Sequence, residues 1–311
     1  MIGAVDIGGT KIAVGIVDDG GKVLASAETA TEAKRGYADA VDRITAMLRS
    51  SAQREGCTLR GIGIGSTGPV YPITGLIGKT DFIKEWEGCN PVKDLAERFS
   101  VSVAMENDAD AAALGEAFWG AGRGRGNMIF VTVGTGIGGG ILINGKLYRG
   151  VDGAHPELGH HAIDASGPLC YCGVQGCWEV LARGAAMAEW MLANAPSGHK
   201  GEPLTGKRVC ELSRGGDPLA RRAVEREGHY LGLGIANLIT LFTPEVIVLG
   251  GSVMQSADLF MEQINAEVRR CCTQVPYEKT EIRLASLGPL TGLIGAARVW
   301  HHRFAQPGGT A

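Results

Sequence analysis

"IGAVDIGGTKIAVGIVD", Ile2 to Asp18, is the stretch whose reading decides the fold. Two β-branched runs flank Gly8-Gly9-Thr10, which predicts two strands joined by a tight turn that uses glycine's freedom at positive φ. The device returns in "MIFVTVGTGIGGGILINGKLYRG", Met128 to Gly150, again as strand, glycine-rich turn and strand. Between the two copies lies a glycine-rich linker, "GAGRGRGN", from Gly120 to Asn127. A β-turn-β unit used twice, each time followed by alternating helices and strands, predicts a duplicated α/β protein whose two lobes face one another across a cleft.

Working outward, apolar residues at helical spacing (Ala40, Val41, Ile44, Met47, Leu48) predict a helix over Tyr37–Gln53. "LRGIGIGSTGPV" (Leu59–Val70) reads as the third strand, running into a Gly/Pro-rich loop. Pro91–Phe99 is a further helix, Val101–Met105 a short strand ending at "ENDAD", and Ala109–Gly120 an alanine-rich helix. In the second half, helices are expected around Gly184–Ala195 and Pro218–Phe242, then the run "PEVIVLGGSV" (Pro244–Val253) enters a Gly-Gly turn. The last helix, Leu290–Phe304, is apolar enough to pack back on the first lobe.

A chain of 311 residues with 45% hydrophobic and 20% charged composition has material for two domains. Lys+Arg 30 against Asp+Glu 33 leaves a formal net charge of -3, so no basic field draws it to nucleic acid or to an anionic membrane. Asp6 and Lys11 interrupt the apolar amino-terminal run, which disfavours a signal peptide. No stretch reaches the roughly 18 uncharged apolar residues of a membrane span. The expected compartment is the cytoplasm, where thiols stay reduced.

The chemistry-bearing residues fall into three groups. "DIGGTK" (Asp6, Gly8, Gly9, Thr10, Lys11) and "GTGIGGG" (Gly134, Thr135, Gly136, Gly138) can each crowd backbone N–H groups around an anion and add a threonine hydroxyl, and together they suggest phosphate. A side chain at Gly9 or Gly136 is therefore expected to raise the KM for ATP above that for the second substrate. Gly250 and Gly251, ending a strand, leave room for a flat adenine ring. Asp108 stands where a strand meets a helix. There it is either a general base, with Asn107 orienting the substrate, or simply a helix cap. Glu106 and Asp110 read as solvated or capping groups. Finally, "GHHAIDASGPLCYCGVQGCWE" (Gly159–Glu179) places His160 ahead of Cys170, Cys172 and Cys177. One imidazole and three thiolates fill a tetrahedral Zn²⁺ shell with no open position, the mark of a structural metal. His161 is expected to point the wrong way along a strand to join it. Cys57, Cys89, Cys210, Cys271 and Cys272 read as ordinary reduced thiols.

With "DIGGTK", "ENDA", "GTGIGGG", "ELGH" (Glu157–His160), "CYCGVQGCWE" and "ANLITLFTPEVIVLGG" in this order, the chain resembles the ROK family (repressors, open reading frames and sugar kinases) over nearly its whole length. The resemblance implies the actin-like ATPase fold of two ribonuclease-H-like lobes. Residues 1–118 would form the lobe with the first phosphate turn and the sugar-contacting loops, the helix at about 290–311 packing back on it. Residues 119–289 would hold the second phosphate turn, the zinc site and the adenine region. It implies MgATP between the glycine turns, Asp108 as catalytic base, and Asp6 beside the metal. Ser66, Gly68, Asn107, Asp108, Glu157, His160 and Glu179 would bind the sugar, with zinc holding the pocket still. Phosphoryl transfer to the 6-hydroxyl of a hexose is the implied reaction. Bacterial glucokinases are resembled through "ENDADAAALGE" and "CGVQGCWE", whereas "STGPV" (Ser66–Val70) and "KTDFIKEW" (Lys79–Trp86) look more like N-acetylmannosamine kinases. A homodimer is implied as well. The family also contains sugar-responsive repressors with a preceding helix-turn-helix domain, for which a first strand at Ile2 is expected to leave no room.

Overall fold

The computed structural model describes residues 1–195 and 204–305. Residues 196–203 of the expected second lobe and 306–311 of the expected final helix lie outside the described residues. By internal packing the chain divides into two units. The first comprises Met1–Gly126, Gly140–Pro156 and the chain from Ala285 onward, and the second Asn127–Gly139 and Glu157–Leu284.

In the first unit the opening hairpin forms as β1 (Ile2–Ile7) and β2 (Lys11–Val17), antiparallel, with Asp6 opposite Ala13. Neither Gly8 nor Gly9 adopts positive φ, so the expected reason for those glycines is corrected. Space is the constraint at Gly9, where a Cβ would meet the Phe82 Cβ at 3.1 Å. A strand that the sequence pattern did not announce follows, β3 (Val23–Ala30), so that the strand expected as third is the fourth, β4 (Gly61–Ser66). β3 is a sheet edge, and its small and polar alternation lacks the apolar face on which a strand reading depends. With a short hairpin of β5 (Val70–Tyr71) and β6 (Leu76–Ile77) set apart, β7 (Ser102–Asn107) completes a five-stranded sheet in the order β3-β2-β1-β4-β7.

Two helix layers cover this sheet because alternate residues of each strand face opposite ways. Val5, Ile7, Val14 and Ile16 share one cluster with Val41, Ile44 and Leu48 of α1 (Tyr37–Arg54) and Leu95 of α2 (Pro91–Phe99). Asn90 caps α2, its side chain accepting from Lys93 N at 2.9 Å, and Pro91 opens the helix at the position where a missing N–H costs nothing. The other face takes α3 (Asp108–Trp119) and the final helix. Helices of the second unit are α4 (Trp178–Ala182), α5 (Ala186–Asn194), α6 (Gly206–Arg214), α7 (Pro218–Phe242) and α8 (Met261–Cys271). The final helix, α9 (Thr291–Phe304), buries Leu293, Ala296 and Ala297 against Ile2, Ala4, Ala13 and Val17. It lies directly on β4: a Cβ at Gly63 would come within 1.8 Å of the Ala296 carbonyl oxygen, which explains why "GIGIG" alternates with glycine.

The second unit holds β8 (Met128–Val133), the start of β9 (Ile137–Ile143), β11 (Val246–Gly250) and β12 (Glu281–Leu284), in the order β9-β8-β11-β12. From Gly140 on, β9 belongs to the first unit, where it pairs with β10 (Lys146–Leu147). α7 is capped by Asp217, which accepts from Leu219 N and Ala220 N at 2.9 and 2.8 Å. Gly234 on α7 leaves the space that the Trp178 indole fills, a Cβ there falling 2.0 Å from the ring. Among the described residues no helix is long and apolar enough to cross a membrane.

Candidate functional site

β1, β4 and β7 are parallel neighbours whose register aligns Asp6 with Gly65 and Glu106, and Ile7 with Ser66 and Asn107. Their chains therefore leave the sheet at one edge, and the loops outside the carboxyl ends of parallel strands are where such sheets bind ligands. Asp6, Gly8, Gly9, Ser66, Gly68, Asn107 and Asp108 all come to this edge of the first unit.

The cap of α3 is Asn107, whose Oδ1 accepts from Ala109 N at 2.9 Å. Asp108 is the first helical residue, and its own Oδ1 accepts from the same N–H at 2.8 Å. Of the two roles open to Asp108, capping is thus taken by its neighbour. Burial, then the like charge of Asp6, pushes the Asp108 carboxyl up to about 6. Asp6 also rises to about 6, through burial against the opposing pull of Lys11. The Asn107 amide nitrogen faces Gly68, where a Cβ would lie 2.9 Å away. Gly292 performs a similar service for Asp6: a Cβ at that position would fall 2.2 Å from Oδ2, so glycine admits the carboxylate to the amino-terminal turn of α9, a favourable place for negative charge. The first glycine turn is held from outside by Thr31, whose hydroxyl donates to Gly8 O at 2.7 Å. Thr10 and Lys11 are exposed, and Lys11 Nζ pairs with Glu28 at 3.0 Å on the surface.

Glu106 and Asp110 are not the solvated groups expected from sequence. Asp110 is completely buried, and its Oδ2 accepts from Arg149 Nη1 at 2.8 Å and His155 Nδ1 at 2.7 Å. Arg149 also pairs with Glu106, whose carboxyl burial lifts to about 7 against the pull of that guanidinium. These partners are remote in sequence and match no motif, so nothing in the sequence pattern connected them.

In the second unit the parallel pairing of β8 and β11 sets Thr132 beside Gly250, which brings Gly134 and Gly251 to one edge. Gly251 has φ +90°, and a Cβ there would strike the Val133 carbonyl oxygen at 2.3 Å, so both conformation and space demand glycine. Gly184 N donates to Gly134 O at 2.7 Å and pins the second turn. Thr135 is exposed at its tip. Gly136 has a different neighbour from the expected phosphate: Glu179 Oε2 lies 2.4 Å from where its Cβ would be. The same oxygen accepts from Ile137 N at 2.9 Å, so the buried Glu179 carboxylate buttresses the turn.

The cysteine-rich stretch folds back on a turn in which Cys170 N donates to Val174 O at 2.9 Å and Gly173, at φ +89°, reverses the chain. Ligand atoms of His160, Cys170, Cys172 and Cys177 all lie within 4.8 Å of one another. Cys170 Sγ is 3.7 Å from His160 Nδ1, and Cys172 Sγ is 3.5 Å from Cys177 Sγ. A tetrahedral zinc with bonds of about 2.0 to 2.3 Å has ligand–ligand edges of about 3.6 to 3.8 Å, so the donor set and spacing suit that ion. The backbone N–H of Val174 leads in pulling the Cys172 thiol below its ordinary range, as a thiolate ligand requires. His160 Nε2, the nitrogen turned away from the sulfurs, is 3.0 Å from Tyr171 Oη. Tyr171 was not singled out by sequence. Desolvation, then the Glu179 charge, raises its phenol, with Glu157 acting in the same direction. His161 stays out of the cluster for a reason other than strand direction. It follows a 3-10 turn (Leu158–His160), donates from Nδ1 to Leu158 O at 2.6 Å, and meets Asn237 Nδ2 at its other nitrogen.

Comparison with known proteins places these features in a lineage. The sequence matches the ROK family over residues 2–303, and the chain belongs to that family. Its mixed α/β architecture is the actin-like ATPase fold. A glucokinase of Thermotoga maritima is 30% identical over 308 residues, 96% of each chain. The crystal structure of a ROK family glucokinase from Streptomyces griseus, in complex with glucose and AMPPNP, is similar at 35% identity and a TM-score of 0.79, covering 95% of this chain and 97% of that one. The xylose repressor of Bacillus subtilis is 32% identical over 243 residues, 76% of this chain and 60% of the repressor.

Proposed function

We propose that this chain is an ATP-dependent kinase that phosphorylates a hexose on its 6-hydroxyl, with glucose the preferred sugar. One observation carries the reading: Asp108 stands at the carboxyl edge of the parallel strands, beside a cap that relieves it of structural duty, with its carboxyl at about 6. Such a group is ionised at neutral pH and still a stronger base than an ordinary aspartate, which suits removal of the proton from an attacking hydroxyl. The similarity to glucokinases, one of them bound to glucose and an ATP analogue, supports the same reading.

In this scheme Asn107 orients the sugar through its Nδ2 while its Oδ1 holds the helix. Ser66, Gly68, Glu157, His160 and Glu179 are assigned to the sugar hydroxyls. The backbone N–H groups at Gly8–Thr10 and Gly134–Gly138 take the phosphates, with Gly250 and Gly251 beside the adenine. Asp6 suits the metal ion, and Mg²⁺ bound with the nucleotide neutralises charge on the phosphates. Zinc held by His160, Cys170, Cys172 and Cys177 fixes the His160 ring so that Nε2 is left for hydrogen bonding. All eight cysteines are free thiols, in keeping with a cytoplasmic setting. The homodimer implied by the family resemblance remains part of the proposal.

Coupled ADP release over glucose, mannose, fructose, N-acetylglucosamine and N-acetylmannosamine tests the assignment. Turnover highest on glucose supports it, and turnover confined to N-acetylmannosamine replaces the sugar while keeping the chemistry. The similarity to a xylose repressor favours a second reading, a sugar-binding regulator. Sugar binding with no ADP release from any of the five would establish that reading instead.

A further inference from the structure

We propose that His155, held by Asp110, is a positioning residue that keeps Asp108 ready to accept a proton at neutral pH. The inference rests on Asp108 being the base. Asp110 sits in the first turn of α3, two residues beyond Asp108, and is locked in place. Its Oδ2 takes both the Arg149 and the His155 hydrogen bonds, at 2.8 and 2.7 Å. Its Oδ1 has no hydrogen-bond partner among the described residues, and Gly140 packs so closely that a Cβ there would lie 2.9 Å from that oxygen. With no room to swing, Asp110 fixes the imidazole by its Nδ1 and so fixes where a positive charge on that ring acts.

The charges around Asp108 give that placement a purpose. Asp6 at the end of β1 and Asp110 on α3 both oppose its ionisation, and the Ala109 N–H favours it. His155, on the segment between β10 and Glu157, supplies the opposing positive charge. Behind Asp110, Arg149 bridges to Glu106, which also feels Arg303 of α9. A lone carboxylate flanked by two others would hold its proton into the neutral range, and an anchored imidazolium offsets that.

The experiment uses the full chain and the pH profile of kcat/KM for the hexose, with thermal midpoints to establish folding. His155→Gln keeps an N–H for Asp110 but cannot carry charge. Its acid limb is expected about half a unit higher than wild type, giving a roughly threefold loss at pH 6.5 that vanishes by pH 8.5. His155→Lys, which restores a cation beside Asp110, should return the limb to the wild-type position or below. A profile for His155→Gln that overlays wild type, a loss uniform across pH, or an upward shift in both variants overturns the proposal. Asp108→Asn separates the two levels of argument: if it retains wild-type turnover, the base assignment itself is wrong.

Discussion

Gly136→Ala is the sharpest probe of how the site is assembled, since the structure redirects its expected effect from one substrate to the other. A methyl group at 136 would stand 2.4 Å from Glu179 Oε2 and 3.1 Å from its Cδ, against 3.4 Å for ordinary contact. The carboxylate must withdraw by about 1 Å, and its 2.9 Å bond from Ile137 N cannot survive that displacement. A hydrogen bond to a charged group contributes about 1.5 to 3 kcal/mol, and Glu179 is buried, so little water replaces it. If Glu179 holds the sugar, as proposed, that energy appears as a roughly 10- to 100-fold rise in hexose KM. Steady-state kinetics with each substrate varied in turn, alongside the thermal midpoint, make the measurement. The hexose KM should rise well beyond that for ATP, contrary to the expectation from sequence alone. A rise confined to ATP would refute the reasoning and return Gly136 to direct phosphate contact.

Asp108→Asn should lower kcat by a factor of about 10² to 10⁴ while calorimetric hexose binding persists, and wild-type activity should fall away below about pH 6 as the base is protonated. Native protein should contain about one zinc per chain by elemental analysis, and Cys172→Ser should release it and weaken hexose binding more than ATP binding. Glu227, completely buried on α7 with no hydrogen-bond partner for either oxygen among the described residues, has its carboxyl raised well above the ordinary value by burial. Its neutral form is the one the fold tolerates, so stability is fully present below the unfolded value of about 4.3 and declines above it by about 1.4 kcal/mol per pH unit until the folded value is reached. Glu227→Met should therefore raise the thermal midpoint, and by more at pH 8 than at pH 5; an equal change at both would remove the ionisation from the explanation.

The helices over Pro91–Phe99 and Pro218–Phe242 and the two glycine hairpins were legible in the sequence, because caps, proline at the first helical position and apolar period act over a few neighbouring residues. The zinc ligands were legible for the same reason: a short loop carries three of its four donors within eight residues. β3 was not, since an edge strand that is half-exposed has little apolar pattern to show. Nor could local pattern say why particular glycines stand where they do. Gly63 answers to the Ala296 carbonyl on α9, Gly136 to Glu179, and Gly292 to Asp6, each a contact made by residues far apart along the chain. The same limit hid Arg149 and His155, and made Glu106 and Asp110 look like surface groups. A carboxylate's burial and partners are properties of the folded neighbourhood, where desolvation and a single guanidinium or imidazole decide its charge, and residue type alone carries none of that.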